Sequence, residues 1–157
     1  MPLNRRHVLY GAASAISLGM LPVRTFAQDP ETIEVFKTAT CGCCHDWIAH
    51  LQNSGFAVAA QDLEHEALVE MKQTAGVPDA LMSCHTGRIA GYVIEGHVPA
   101  ADIRRLLVER PEAIGLSVPG MPKGSPGMGP EDQREAYDVI LIGKDGATKV
   151  FASYPAA

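Results

Sequence analysis

The chain has 157 residues, with 18 Asp and Glu side chains against 13 Lys and Arg, and a formal net charge of −5. This length suits one domain with a single hydrophobic core. Because the sequence contains neither a basic patch nor aromatic residues interleaved with Lys and Arg, its composition argues against a nucleic-acid partner.

Residues 1–27 have the pattern of an export signal. The arginine pair in "NRRHV" precedes an apolar run that is shorter than the roughly 20 residues needed to span a bilayer and is interrupted by Pro22. Thr25–Ala27 offers a small residue at both positions that a signal peptidase reads. The paired arginines and the weakly hydrophobic run favour the twin-arginine route. We therefore expect cleavage at the end of this signal, which leaves residues 28–157 as one periplasmic domain without membrane attachment.

The next elements alternate between strands and helices. Apolar alternation predicts strands in "TIEVFKTA" and "FAVAAQDL", and helical spacing predicts helices in "CHDWIAHLQNSG" and "EHEALVEMKQTAG". Ala80–Cys84 and Ile89–Glu95 are predicted to form a hairpin that turns at Thr86-Gly87, followed by a helix over Ala100–Glu109. The order strand, helix, strand, helix, hairpin, helix is that of an α/β thioredoxin-like domain. In that fold the proline before the third strand, here Pro78, is cis and faces the Cys-x-x-Cys turn.

The last part of the chain differs in composition. The segment Ala113–Ala136 is rich in Gly and Pro and is predicted to hold no long helix or strand. It carries Met121 and Met128 outside any apolar periodicity. The following "YDVILIGKDGATKVF" predicts a final β-hairpin that turns around Lys144-Asp145-Gly146. Long loops in compact domains are usually functional or disordered, so the Gly/Pro/Met-rich loop is a candidate for function.

Three cysteines, Cys41, Cys43 and Cys44, lie where the first strand meets the first helix. Cys41 and Cys44 have the Cys-x-x-Cys spacing, which places the first sulfur at the helix N-cap and the second in the first turn. Unpaired N–H groups and the helix dipole stabilise a thiolate there. This spacing alone supports disulfide exchange and metal binding equally. Cys43 favours metal binding, because a third thiol inside the loop would compete for any disulfide.

A fourth cysteine, Cys84, lies far along the chain in "MSCHTG". An unpaired thiol exported into an oxidising compartment would be a liability, so we expect Cys84 to share a site with the other three. Its predicted position conflicts with this expectation, because five or six residues after Pro78 place it at the far end of a strand. The hairpin must therefore bend back over the helix N-terminus, or Cys84 must bind elsewhere.

The ligand types favour copper over zinc. Structural zinc needs four tetrahedral ligands, usually from two separated pairs, and adjacent Cys43 and Cys44 do not easily point at one ion. Thiolates that bridge several Cu(I) ions tolerate this crowding, and thiolate and thioether ligands select Cu(I). The thioethers of Met121 and Met128 are further candidate ligands, although a methionine in such a loop is equally well explained as a gap-filler.

The histidines and the tryptophan have different expected roles. His85 follows Cys84 directly and His97 opens the "GHVPA" loop, so both are candidate ligands beside the cysteines. His50 and His65 occupy polar positions on predicted helices and are expected to face solvent. Trp47 is expected to anchor the core behind the cysteine turn.

Four stretches together carry a family resemblance: "TCGCCHDWIAHL", "GVPDALMSCHTGRIAGYVIEGHVPAADIRRLLVERP", "GLSVPGMPKGSPGM" and "YDVILIGKDG". They resemble the CopG-type periplasmic copper-resistance family, long catalogued as a domain of unknown function, over nearly all of the chain after the export signal. The resemblance implies a thioredoxin-like fold, a cysteine-rich site that can hold a multi-copper Cu(I) cluster, and a role in copper tolerance. By position it implies the ligands Cys41, Cys43, Cys44 and Cys84, with His85, His97, Met121 and Met128 as lesser candidates.

Two functional hypotheses follow from these residues. In the first, a periplasmic protein binds copper ions, contributes to copper resistance, cycles Cu(I) with Cu(II) through its thiols, and works with other periplasmic copper-handling proteins. In the second, a thiol-disulfide oxidoreductase uses Cys41 for attack and Cys44 for resolution, which makes Cys43 and Cys84 superfluous. A structural zinc domain is a third interpretation. Whether the protein is an enzyme, as a copper or thiol oxidoreductase, is left open.

Overall fold

The computed structural model describes residues 32–157, and this part of the chain forms seven strands and three helices. The export signal predicted for residues 1–27 lies outside it. Within the described part no helix is both long and apolar enough to cross a membrane. The helices are α1 (Gly42–Asn53), α2 (His65–Thr74) and α3 (Ala100–Glu109). The strands are β1 (Thr32–Lys37), β2 (Ala57–Asp62), β3 (Thr86–Ile89), β4 (Tyr92–Glu95), β5 (Ala113–Ser117), β6 (Tyr137–Gly143) and β7 (Thr148–Tyr154).

The strands form one mixed sheet in the order β2-β1-β3-β4-β5-β6-β7. The pairs β1–β2 and β4–β5 are parallel, and the other neighbours are antiparallel. Because parallel neighbours need a crossover connection, α1 links the first parallel pair and α3 links the second. The protein is therefore a mixed α/β fold, and the predicted order strand, helix, strand, helix, hairpin, helix is confirmed.

The core is built from apolar side chains at helical spacing. Trp47 and Leu51 on α1 are fully buried, as are Ile103 and Leu106 on α3. The indole N–H of Trp47 donates a hydrogen bond to the carbonyl of Val98 at 2.9 Å. The polar edge of the buried ring is thus satisfied, and the prediction that Trp47 anchors the core is confirmed.

The hairpin after α2 begins later than predicted. The segment expected to be the strand Ala80–Cys84 forms a 3-10 helix at Asp79–Leu81 and then continues without regular secondary structure to the start of β3. The turn lies at Ala90-Gly91 rather than at Thr86-Gly87. Ala90 and Gly91 have φ values of +49° and +85°, the left-handed conformations that two-residue hairpin turns need.

Pro78 explains this difference. Its carbonyl accepts the N–H of Leu81 at 2.8 Å, which closes a helical turn at the start of the predicted strand. The predicted cis bond is also wrong, because every peptide bond in residues 32–157 is trans. As a result, Cys84 precedes the third strand and does not lie at its far end.

The chain after α3 contributes three strands. The helix ends at Glu109 and is capped by Arg110, which has a left-handed φ of 44°. The next residues form β5 between β4 and β6, a five-residue strand that was not predicted from the sequence. The rest of Ala113–Ala136 holds only the short 3-10 helix Glu131–Gln133, in line with the prediction of no long helix or strand. The predicted C-terminal hairpin is confirmed as β6 and β7, with Gly146 in its turn at φ +79°.

Candidate metal centre

The four cysteines meet at the N-terminus of α1. Cys41 is the N-cap of this helix, and Cys43 and Cys44 lie in its first turn. Cys84 comes from the irregular segment before β3, and its Sγ lies 3.7 Å from the Sγ of Cys43. Cys43 Sγ lies 3.7 Å from Cys41 Sγ, and all four sulfurs lie within 4.8 Å of one another. The structure therefore brings the two cysteine regions together, as expected.

Cys41 and Cys44 are joined by a disulfide, with their Cα atoms 5.4 Å apart. The sequence left this pairing open. Cys43 and Cys84 are free thiols. A metal binds the thiolate and not the disulfide, so the closed bond leaves two sulfurs for a metal, whereas its reduction makes four available.

Two imidazoles contact the sulfur of Cys84. Cys84 Sγ lies 3.2 Å from His85 Nδ1 and 3.2 Å from His97 Nε2. Both histidines are fully buried, and their rings meet edge to face with centroids 4.9 Å apart. The ring of His85 also packs against Trp47, with centroids 4.3 Å apart. Cys84, His85 and His97 thus form a second group of ligand atoms, which shares one sulfur with the cysteine cluster.

The hydrogen bonds and burial of the two histidines favour the neutral form that metals bind. His97 Nδ1–H donates to the carbonyl of Pro126 at 2.8 Å, which leaves the lone pair of Nε2 facing Cys84. Burial lowers the pKa of His97. Burial also holds the pKa of His85 well below its usual value, with the charges of His97 and Lys72 acting in the same direction. The buried His85 Nε2 has no hydrogen-bond partner among residues 32–157, which is unusual for a buried polar atom.

The Cys84 thiol is protonated in the metal-free protein. Burial, together with the charge and the hydrogen bond of the neighbouring Cys43, raises the pKa of Cys84 to about 12. At neutral pH the Cys84 S–H therefore faces the imidazole nitrogens. A metal that binds here must displace this proton, so metal affinity should increase with pH.

The Gly/Pro/Met-rich loop lies against the site. Pro126 contacts His97, and a Cβ added at Gly127 would lie 2.6 Å from the backbone nitrogen of Trp47 in α1. Met121 is 55% exposed and Met128 is half-buried. The loop thus touches both the cysteine helix and a candidate ligand, while the role of the two methionines as ligands stays a prediction.

Within residues 32–157, three other histidines lie outside the groups of ligand atoms, and one of them is the exposed His45, which follows Cys44 directly. His65 is exposed, as predicted. The prediction for His50 is wrong, because its half-buried Nε2 accepts the N–H of Ala100 at 3.2 Å. Ala100 is the first residue of α3, so His50 satisfies one of the free N–H groups at that helix end.

Two buried charged residues next to the site were not predicted from the sequence. Lys72 on α2 is 2% exposed and Glu95 on β4 is 0% exposed, and their Nζ and Oε1 atoms lie 2.5 Å apart. The sequence pattern around each of them does indicate an inward-facing position. Lys72 falls four positions after the inward Leu68, and Glu95 ends the apolar run "YVIE".

Replacing Gly127 by Ala should release the hydrogen bond that orients His97. Gly127 has a φ of +85°, and the new Cβ would meet the backbone of Trp47 and the carbonyl of Cys43, so the loop must move away from α1. We expect the ring ¹⁵N shifts of His97 in metal-free protein to change from one tautomer to a mixture. Gly129→Ala is the matched control, because its φ is +90° but no atom lies within 4 Å of the added Cβ. An unchanged tautomer in Gly127→Ala would show that the loop does not orient His97.

Solved structures and one family model match the chain. A structure of "Copper resistance protein copG- Form 2" is 47% identical, with a TM-score of 0.75, and the match covers 81% of this chain and 100% of that one. "Copper resistance protein copG- Form 1" is 46% identical, with a TM-score of 0.76, and covers 82% of this chain and 100% of that one. Residues 81–128 match the family described as "Protein of unknown function, DUF411". No curated protein matches the chain.

Proposed function

The chain belongs to the CopG-type copper-resistance family, and from this premise we propose that it binds Cu(I) at the four-cysteine site and contributes to copper resistance. The observation that carries the proposal is the meeting of four sulfurs within 4.8 Å, one of them from a separate segment of the chain. Soft thiolate ligands select Cu(I) among the ions available to such a site.

The spacing of the sulfurs alone does not select copper. A tetrahedral zinc site, with zinc–sulfur bonds of about 2.3 Å, would place its sulfurs at a similar separation to the 3.7 Å seen here. The softness of the donors and the family favour copper. The two groups together offer four sulfurs and two imidazole nitrogens, which is more than one tetrahedral ion can use. We therefore propose a multinuclear site with bridging thiolates, in which Met121 and Met128 are additional ligand candidates.

Copper redox chemistry is part of the proposal, and the Cys41–Cys44 disulfide favours it. Closing this bond from two thiols releases two electrons and two protons. These electrons balance the reduction of two Cu(II) ions to Cu(I). The same disulfide supports the second candidate function, thiol-disulfide exchange at Cys41, although Cys43 lies 3.7 Å from Cys41 and would compete for it.

We also propose where the protein works. The signal pattern of residues 1–27 supports export by the twin-arginine route and a periplasmic location, with other periplasmic copper-handling proteins as partners. The order of the elements from β1 to α3 supports a thioredoxin-like relationship for this part of the fold.

Cys84→Ser tests the proposed site. Reduced wild-type protein should retain more than one Cu(I) per chain in competition with a Cu(I) chelator, without d-d absorption. The Cys84→Ser variant should bind fewer ions, because it lacks the Cys84 sulfur, which belongs to both groups of ligand atoms. Its circular dichroism should match that of the wild type, since Cys84 is only half-buried. A wild-type protein that prefers one zinc ion and rejects copper would overturn the proposed function, and an unchanged ion count in the variant would remove Cys84 from the site.

A further inference from the structure

A buried carboxylate holds both ends of the segment that carries Cys84 and His85. Glu95 Oε1 accepts the backbone N–H of Ser83 at 2.7 Å, and Glu95 Oε2 accepts the hydroxyl of Thr86 at 2.6 Å. Ser83 and Thr86 are the residues directly before and after the pair of candidate ligands. Glu95 therefore contacts the chain on each side of the two ligands without contacting the ligands themselves.

Lys72 completes this network from α2. Its Nζ donates to Glu95 Oε1 at 2.5 Å and to the hydroxyl of Thr86 at 2.9 Å. Burial raises the pKa of Glu95, and the charge of Lys72 opposes this effect together with the hydrogen bonds from Lys72, Thr86 and Ser83. The carboxylate thus has a donor from each of these three residues, which offsets the cost of burying its charge.

The segment held by this network carries no regular secondary structure before β3. Its backbone and the Ser83 hydroxyl make two further hydrogen bonds, from the Ser83 hydroxyl to the Gly120 carbonyl and from the Gly96 N–H to the His85 carbonyl at 3.0 Å. The side chains of Cys84 and His85 otherwise contact Cys43, His97 and Trp47, which belong to the candidate site itself. A buried ion pair is weak evidence for stability, because apolar replacements of such pairs are often neutral or stabilising. Because the Lys72–Glu95 pair lies beside the candidate ligands, we expect it to fix the position of those ligands.

We propose that Glu95, paired with Lys72, is a positioning residue that fixes the Ser83–Thr86 segment so that the Cys84 sulfur faces the cysteines of α1. The inference rests on the copper function proposed above. Glu95 acts on copper binding only through the chain that it holds. Removing its charge should therefore weaken copper binding much less once Cys84, the sulfur ligand of that segment, has been replaced.

A double-mutant cycle tests this coupling. Glu95→Gln should lower Cu(I) affinity about tenfold in the wild-type background, as loss of an outer-shell partner does. In the Cys84→Ser background the same substitution should lower the affinity much less, because the effects of two residues that act through one another are not additive. Glu112→Gln is the control, since it breaks a Lys–carboxylate pair, with Lys144, that contacts neither ligand segment.

The metal-free protein gives a second readout. Glu95→Gln leaves Lys72 buried without its charged partner, and the amide oxygen of Gln can still accept the Ser83 N–H. Lys72→Met/Glu95→Met removes both charges and this acceptor, so that no unpaired charge is left to unfold the protein. In this variant the Ser83 amide should exchange its hydrogen much faster, while the Val35 amide in the centre of β1 keeps its protection.

The outcomes separate this inference from the proposed function. An equal loss of Cu(I) affinity in both backgrounds, or an unchanged exchange rate at Ser83, would overturn the positioning role of Glu95. Failure of the wild-type protein to bind Cu(I) would overturn the copper function, and with it the role proposed for Glu95 in copper binding. The amide exchange would then still decide whether Glu95 holds the segment.

Discussion

Closing the Cys41–Cys44 disulfide should weaken Cu(I) binding by more than about 100-fold. Changes outside the ligand shell already cost 10–100-fold in metal affinity, and the disulfide withdraws two sulfurs from the site itself. The structure shows this closed state, with Cys43 and Cys84 left as thiols. Anaerobic chelator competition on oxidised and fully reduced protein measures the difference.

Cys41→Ser is the control for this result. It cannot form the native disulfide, so its Cu(I) affinity should lie between the two wild-type values and respond little to reductant. Equal Cu(I) affinity in oxidised and reduced wild-type protein would show that Cys41 and Cys44 are not ligands. The site would then consist of the sulfurs of Cys43 and Cys84 with the two histidines.

Gly115→Ala should cost more than about 4 kcal/mol of unfolding free energy, a loss seen only when a substitution cannot be accommodated. Gly115 pairs with Val93 where β5 lies against β4. A Cβ here would overlap the carbonyl oxygen of Val93 and lie 2.6 Å from its carbonyl carbon, so the two strands would have to separate. Since β6 and β7 join the sheet through β5, their attachment weakens too.

Denaturant unfolding measures this loss. Gly42→Ala is the control, because no atom lies within 4 Å of its added Cβ and Ala is the better helix former at this first position of α1. We expect its midpoint to stay the same or rise slightly. A Gly115→Ala variant with wild-type stability would mean that β4 and β5 do not pair at this register.

The elements that the sequence predicts well are those with a complete local signal. Helix α3 has apolar spacing and a proline just after its end, and β1 has clean alternation, so both were predicted closely. Ala80–Cys84 was also predicted as a strand, but the turn closed by the Pro78 carbonyl prevents a strand there. β5 was missed because its pairing depends on β4 and β6. Local pattern contains no information on such partners.

Some parts of the candidate site could also be predicted from the sequence and others could not. Cys41, Cys43 and Cys44 lie next to one another in the chain, so their spacing alone predicts a cluster. The approach of Cys84 was expected from chemistry, and the late start of β3 supplies the geometry. The contact between Lys72 and Glu95 joins residues 23 positions apart, so no sequence period reveals it. The export signal and the roles of the methionines stay predictions.

The Cys84 sulfur belongs to both groups of ligand atoms, and this sharing has a thermodynamic consequence. An ion on the histidine side changes the charge on this sulfur, and therefore changes how tightly the cysteine side holds its own ion. Linkage requires the reverse effect to be equal in size. Successive copper ions should therefore not load independently, and their titration should not fit identical, non-interacting sites. A partner that removes copper from one side would thereby reset the affinity of the other.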